Sequence, residues 1–157
     1  MTVDLAKAQR MGSYSLEALL GTGGMGEVWR ARHQLLARPA AVKLVKPENL
    51  AGNRHDQQVA ITRFEREAQV TASLRSAHTV QLYDFGVART EAFFYVMELL
   101  NGLDLDELVM RFGPVSPSRA VYFLHQVCDS LGEAHEQGLT HRDIKPGNIY
   151  VVGTGGR

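Results

Sequence analysis

The residues best suited to chemistry lie near the end of the chain, in the stretch HRDIKPGN at residues 141–148. Asp143 is followed by Lys145 and then by Asn148 on what reads as one polar loop. A carboxylate can accept a proton from an attacking hydroxyl, and an ammonium can neutralise charge on a phosphoryl group during transfer. An amide oxygen suits a hard cation such as Mg²⁺. The spacing of these three groups therefore predicts phosphoryl-transfer chemistry.

A glycine-rich hexapeptide, GTGGMG at residues 21–26, is the second chemical feature. Glycines leave main-chain amides open to phosphates, although a flexible hairpin turn would have the same composition. The pattern G-x-G-x-x-G also marks dinucleotide sites, where a helix follows and an acidic residue comes about 20 positions later. Here the alternating segment EVWRAR follows, and the corresponding region reads VKLVKP. These features argue against a dinucleotide site, and a nicotinamide-dependent oxidoreductase rests on the glycine pattern alone.

Lys43 stands within the apolar segment AVKLV, which reads as a strand. An ammonium held against apolar surface needs a partner, unless its stem only lies along a strand edge with the charge in water. The following helical segment offers Glu65 and Glu67. Phe64 and Thr71 lie three residues before and four residues after Glu67, on its face of the helix. We therefore prefer Glu67 as the partner of Lys43.

The elements that must position these groups follow from hydrophobic periodicity. Two strands surround the glycine turn between Tyr14 and His33, and AAVKLV forms a third. A helix is predicted over Val59–Leu74, and two further strands over VQLYDFGVA and AFFYVMELL. LDLDELVMRFG predicts a short helix, Ser118–Glu136 a long amphipathic one that Gly138 ends, and the tail a short strand. The expected class is α+β, with a strand-rich half before a helical half.

Four motifs occur together and in order: LGTGGMGEVWRA, AVKLV, FEREA and HRDIKPGN. In these motifs the chain resembles the N-terminal part of a protein kinase domain, specifically the eukaryotic-like serine/threonine kinases of bacteria. The resemblance implies a lead-in at residues 1–13, an antiparallel β-sheet N-lobe with one helix C and the hinge at 14–100, and a partial helical C-lobe at 101–157. It implies ATP and Mg²⁺ as cofactors and a protein Ser or Thr hydroxyl as the phosphoryl acceptor.

The same resemblance assigns roles in catalysis and phosphate binding. Asp143 would be the catalytic base, Lys145 the phosphate-neutralising cation and Asn148 a magnesium ligand. Lys43 would hold the α- and β-phosphates, positioned by Glu67. The residues expected to cover the ATP phosphates are Gly21, Gly23, Gly24 and Gly26.

The adenine site is implied in the same way. The hinge backbone of Glu98 and Leu100 would hydrogen-bond the base, and Tyr150 occupies the position of the adenine floor, where the family more often has an aliphatic residue or Met. The remaining residues expected around adenine are Leu20, Val28 and Ala41 above it and Met97 as the gatekeeper.

The tripeptide Asp84-Phe85-Gly86 matches the magnesium-binding motif of this family but precedes the catalytic loop instead of following it. We therefore interpret it as part of a strand and a turn. The sequence ends before the expected position of the motif, so we expect impaired transfer and an apolar stripe on the long helix open to self-association. A non-catalytic ATP-binding or kinase-partner module is the alternative.

Composition restricts the remaining classes. Among the 157 residues, Lys plus Arg and Asp plus Glu each number 17, so no net charge favours nucleic acid. No segment has the roughly 20 apolar residues of a membrane span. The single cysteine, Cys128, excludes an intrachain disulfide and fits a reducing compartment. A cytoplasmic protein is the resulting expectation.

Overall fold

The structure is a computed structural model that describes residues 10–23, 26–45, 54–88 and 93–153; for residues 54–58, 60 and 61 it describes the backbone alone. Gly24, most of the expected lead-in and the last four residues lie outside this part. The described elements are β1 (Arg10–Met11), β2 (Tyr14–Gly23), β3 (Gly26–His33), β4 (Pro39–Val45), α1 (Arg54–Ser73), β5 (Leu82–Val87), β6 (Phe93–Met97), β7 (Gly102–Asp104), α2 (Leu105–Phe112), α3 (Pro117–Glu136) and β8 (Tyr150–Val152).

These elements form two compact units. The first unit comprises the described residues up to Ala72 together with Gln81–Leu99. The second unit comprises Ser73–Val80 and the described residues from Leu100 onward. Each unit has its own sheet, so each positions its own part of the predicted site.

The first unit is built on an antiparallel six-stranded sheet with the order β1-β2-β3-β4-β6-β5. Alternation along β4 and β6 sends Val42, Leu44 and Val96 into the core, where Val42 and Val96 are completely buried. The other buried residues of this core are Met11, Tyr14, Leu16, Ala31, Ala40 and Phe94. Because side chains alternate, the neighbouring residues in β4 and β6 lie on the opposite face of the sheet.

Helix α1 packs on that opposite face, and its aromatic contacts there come from Phe64. The Phe64 ring lies 4.3 Å from the ring of Tyr95 and 4.6 Å from that of Phe93, measured between centroids. The helix begins at Arg54, earlier than the predicted Val59. Its polar first turns carry no apolar periodicity, yet Arg and Gln have good helix propensity, so a pattern based on burial missed them.

The second unit contains two well-capped helices. The Asp104 carboxylate accepts a hydrogen bond from the Glu107 amide at 2.8 Å and caps α2, and Ser116 caps α3 with Pro117 at its first position. Gly138, at φ 75°, follows the end of α3 as predicted. The two-stranded antiparallel sheet of β7 and β8 pairs Asp104 with Tyr150. Strand β7 was not predicted, and the expected start of the short helix at Leu103 was wrong, because three residues before a helix leave no readable alternation.

The segment 73–80 is held on α3 within the second unit by polar contacts. The Glu133 carboxylate accepts hydrogen bonds from the amides of Arg75 and Ser76, both at 2.8 Å. Ser76 Oγ lies 3.1 Å from Asp129, and Thr79 Oγ1 lies 2.6 Å from Ser130 Oγ. A carboxylate that bonds two main-chain amides fixes the path of the segment more firmly than one contact would.

Candidate active site

The structure assembles Asp143, Lys145 and Asn148 into one hydrogen-bonded cluster in the second unit. Lys145 Nζ lies 3.1 Å from Asp143 Oδ2. Asn148 Nδ2 donates to the same oxygen at 3.0 Å and to the Asp143 carbonyl at 2.8 Å. A single 3-10 turn at Pro146–Asn148 returns Asn148 towards Asp143. The cluster therefore depends on local chain geometry as well as on residue type.

The cluster controls the charge of Asp143. Hydrogen bonds from Lys145 and then Asn148 lower the pKa of this carboxyl, and the charges of Lys145 and His141 lower it further, while desolvation opposes them. The carboxylate is therefore ionised at neutral pH and able to accept a hydrogen bond or a proton. Its side chain is 38% exposed, so an incoming hydroxyl can reach it.

The donor set of this loop fits a magnesium ion bound together with phosphates. Since Asn148 Nδ2 is engaged with Asp143, its Oδ1 oxygen is left as the ligand atom. Within the residues that the structure describes, no three His, Cys, Asp or Glu side chains group together as a metal site. Mg²⁺ commonly takes one or two protein oxygens and completes its shell with water and substrate phosphates, so this sparse set is compatible with it.

A second group of predicted residues shares one face of the six-stranded sheet. Gly21 pairs with Val28, Val28 with Lys43, and Lys43 with Tyr95 across four adjacent strands. Ala41 pairs with Met97 in the same register. Directly paired residues point to the same side of a sheet, so Val28, Ala41, Lys43 and Met97 lie on the face that receives α1. The structure thus brings together, within the first unit, residues that are far apart in sequence.

Strands β2 and β3 pair up to Gly23 and Gly26, on the two sides of the predicted glycine turn. A Cβ atom on Gly21 or Gly23 would meet no atom within 4 Å, so the backbone there is open. Gly26 differs, because its φ is 141° and a Cβ would overlap the carbonyl oxygen of Leu44. Leu20 sits at an irregularity of β2 between Leu19 and Gly21 and is 53% exposed.

The expected ion pair between Lys43 and Glu67 is not formed in the described part of the chain. Arg63 donates from Nε to Glu67 at 3.0 Å, one helical turn away. Glu67 is nevertheless near Tyr95, the strand partner of Lys43. Burial and then the charge of Glu67 raise the pKa of Tyr95 to about 12. The Arg63–Glu67 spacing of four residues was readable from the sequence.

The predicted hinge residues lie just after β6. The Glu98 amide donates to the Gln81 carbonyl at 3.0 Å, and the Glu98 carboxylate accepts from the Gln81 amide at 2.8 Å. Leu100 belongs to the second unit. No sequence signal pointed to Gln81.

Tyr150 begins β8, where burial and the charges of Asp104 and Glu107 raise the pKa of its hydroxyl.

The tripeptide Asp84-Phe85-Gly86 lies within β5, so its interpretation as a strand segment is confirmed, whereas the turn expected there is wrong. Phe85 faces Phe64 of α1, with ring centroids 6.5 Å apart. A Cβ on Gly86 would approach the Phe94 ring to 3.0 Å, which explains the glycine by packing. Asp84 accepts a hydrogen bond from the amide of Phe85.

Comparison with known proteins agrees with this architecture. PknH, a serine/threonine-protein kinase of Mycobacterium bovis, is 40% identical over 141 residues, which are 90% of this chain and 23% of the relative. PknE of Mycobacterium tuberculosis is 39% identical over 151 residues, 96% of this chain and 25% of the relative. The chain thus spans about a quarter of these curated relatives.

Solved structures of a protein kinase domain also match this chain. The crystal structure of the M. tuberculosis PknI kinase domain matches with a TM-score of 0.79 and 28% identity, over 94% of this chain and 57% of that one. The α+β kinase fold expected from the motifs is therefore confirmed. The family model of the protein kinase domain matches residues 14–156, and the chain belongs to this family.

Proposed function

We propose that this chain is part of an ATP-dependent serine/threonine protein kinase, which transfers the γ-phosphoryl group of ATP to a Ser or Thr hydroxyl of a protein. The observation that carries the proposal is the cluster of Asp143, Lys145 and Asn148. Its groups are already oriented by one another, and phosphoryl transfer depends mainly on such positioning and charge stabilisation.

Each member of the cluster has a distinct task. The ionised Asp143 carboxylate accepts the hydrogen bond, and then the proton, of the substrate hydroxyl. Lys145 has its ammonium next to that carboxylate and offers charge to the phosphoryl group in transfer. Asn148 would hold Mg²⁺ through Oδ1, and the ion would neutralise phosphate charge when bound.

The nucleotide contacts proposed for the first unit use the shared face of the sheet. Lys43 would bind the α- and β-phosphates, and Glu67 would exchange Arg63 for Lys43 when nucleotide is present. The exposed Arg63–Glu67 pair is of a kind that stabilises by about 0.5 kcal/mol, so this exchange is energetically easy. The open backbone at Gly21 and Gly23 suits close approach of phosphates.

Acceptance of Ser and Thr rests on Lys145, the serine/threonine form of the catalytic loop in the family that the chain resembles. PknH and PknE carry the name serine/threonine-protein kinase. No helix in the described part of the chain is long and apolar enough to cross a membrane. The cytoplasmic location stays a prediction.

Binding and transfer can be tested on the 157-residue chain with labelled ATP, Mg²⁺ and a generic basic protein substrate. We expect Mg²⁺-dependent ATP binding that Lys43→Met weakens by about tenfold or more and that Asp143→Asn leaves within about threefold. Any incorporation of phosphate should disappear in Asp143→Asn. Incorporation that survives this variant, or a chain that binds no ATP, would contradict the proposal.

The same experiment separates the kinase from its alternative. ATP binding without incorporation under any condition would favour the non-catalytic ATP-binding or kinase-partner module. Joining the chain to the remaining part of a relative's kinase domain then distinguishes the two. Restored transfer that requires Asp143 supports the kinase.

We also propose self-association through α3. Val121 and Leu124 on this helix are 66% and 56% exposed, and Tyr122 is exposed as well. Beside them is an apolar groove of about 190 Å³, lined by Leu105, Val115, Ala120, Phe123, Leu124, Val127 and Ile149. Exposed apolar surface of this kind favours association in water.

A further inference from the structure

The last hydrogen bonds of the β5–β6 ladder have an unusual acceptor. Gln81 precedes β5 and Glu98 follows β6, so the two residues stand opposite each other just beyond the pair Leu82–Met97. In an antiparallel hydrogen-bonded pair, each residue normally donates its amide to the main-chain carbonyl of the other. Here the Glu98 amide does so, at 3.0 Å from the Gln81 carbonyl.

The return bond goes to a side chain instead. The Gln81 amide donates to Glu98 Oε1 at 2.8 Å, so the carboxylate takes the place that the Glu98 carbonyl would normally fill. Within the described residues, no donor bonds to that carbonyl. An amide-to-carboxylate hydrogen bond is charge-assisted and stronger than an amide-to-carbonyl bond, so it can displace the main-chain acceptor.

We propose that Glu98 is a positioning residue for the purine base: its side chain captures the Gln81 amide and thereby leaves its own carbonyl to accept a hydrogen bond from an exocyclic amino group. The carboxylate itself does not touch the nucleotide. The site then selects 6-aminopurine nucleotides over purines that lack the amino group. This inference rests on the proposed function, in which the hinge backbone binds adenine.

Nucleotide affinity tests the inference without any need for catalysis. Dissociation constants are measured for ATP and for purine riboside 5′-triphosphate, which lacks the 6-amino group, using the intact 157-residue chain. The unchanged chain should prefer ATP by about 5- to 10-fold, the value of one hydrogen bond. In Glu98→Ala the carbonyl can take the Gln81 amide, so the preference should fall to about twofold or less.

Three variants separate positioning from general damage. Glu98→Gln keeps an acceptor oxygen for the Gln81 amide and should retain the preference. The double variant Glu98→Ala with Gln81→Pro lacks the main-chain amide at position 81, so it should regain the preference for ATP. Glu136→Ala removes an exposed carboxylate at the end of α3 and should change neither affinity.

The measurements distinguish failure of this inference from failure of the proposed function. An unchanged preference in folded Glu98→Ala overturns the inference while the proposed ATP binding stands. If Glu98→Ala does not fold, loss of the preference in Glu98→Gln overturns the inference, because that variant keeps the hydrogen bond. If the unchanged chain binds neither nucleotide, the proposed function fails and the inference fails with it.

Discussion

At the scale of single residues, the charge on Asp143 depends on its two neighbours. Lys145 and Asn148 both donate to Oδ2, so the carboxylate is held in one position. Arg142, next to it, adopts a positive φ of 65°, a backbone conformation that non-glycine residues seldom take. Such local strain near a reactive group indicates that the surrounding loop fixes the position of Asp143.

The first prediction concerns this charge. Lys145→Met removes the largest cause of the lowered pKa of Asp143, so the pKa should rise towards the ordinary value of an aspartate. Carbon-detected NMR titration of the Asp143 carboxyl measures it directly. Lys145→Arg keeps a cationic donor and should keep the pKa low. An unchanged pKa in Lys145→Met would show that Asn148 alone sets it.

The second prediction concerns Tyr95, whose pKa of about 12 lies above that of an unfolded tyrosine, about 10. A raised pKa in the folded state means that the neutral hydroxyl contributes stability below pH 10, and that this contribution is lost as the pH rises towards 12. Tyr95→Phe keeps the ring beside Phe64 and removes the titration.

Urea unfolding of both chains between pH 8 and pH 12 checks this prediction, since other alkaline titrations cancel in the difference. The original chain should lose stability relative to Tyr95→Phe as the pH rises. Parallel pH profiles for the original chain and Tyr95→Phe would contradict the assignment.

At the scale of elements, the third prediction compares Gly21 in β2 with Gly26 at the start of β3. Gly26→Ala places a Cβ against the Leu44 carbonyl at a φ of 141° and should destabilise the chain by about 2 kcal/mol or more. Gly21→Ala meets open space, so its effect should stay within about 0.5 kcal/mol. Thermal unfolding without nucleotide measures both. If Gly26→Ala lost no more stability than Gly21→Ala, the backbone around Gly26 would have to adjust to accept the Cβ atom.

The fourth prediction tests how α3 holds the segment 73–80. Glu133→Ala leaves the amides of Arg75 and Ser76 without their carboxylate and should destabilise the chain by about 1–3 kcal/mol. Hydrogen exchange at these two amides should accelerate. Glu136→Ala, on the same helix, should change neither quantity. Unaltered exchange in Glu133→Ala would show that Thr79 and Ser76 hold the segment by themselves.

The sequence predicted the elements with strong periodicity and missed those without it. Alternation in EVWRAR and AVKLV located β3 and β4, and amphipathic spacing located α3. The three-residue strand β7 and the polar start of α1 lack any repeating pattern, so their formation depends on pairing and propensity. The same limit applied to the turn expected at Gly86, because the sequence does not show that this glycine lies in a strand, close to the ring of Phe94.

At the scale of the whole molecule, the motifs predicted which residues belong to the candidate site, but they did not predict every residue that each of them contacts. The spacing of Asp143, Lys145 and Asn148 was enough to predict a cluster, since all three lie on one loop. The Lys43–Glu67 pair depends on how α1 sits on its sheet, and there Arg63 competes for the same carboxylate. Gln81 and Glu98 come together only through strand register, which no local pattern reveals.

The last prediction concerns association of whole chains through α3. Because Val121 is two-thirds exposed, Val121→Lys should not disturb the core but should oppose burial of the apolar surface. We expect the original chain to associate with rising concentration, and the variant to do so about tenfold more weakly. Sedimentation velocity measures both. His125→Lys places the same charge at an exposed polar position of the same helix, so equal weakening by both variants would indicate charge repulsion and contradict an apolar contact at Val121.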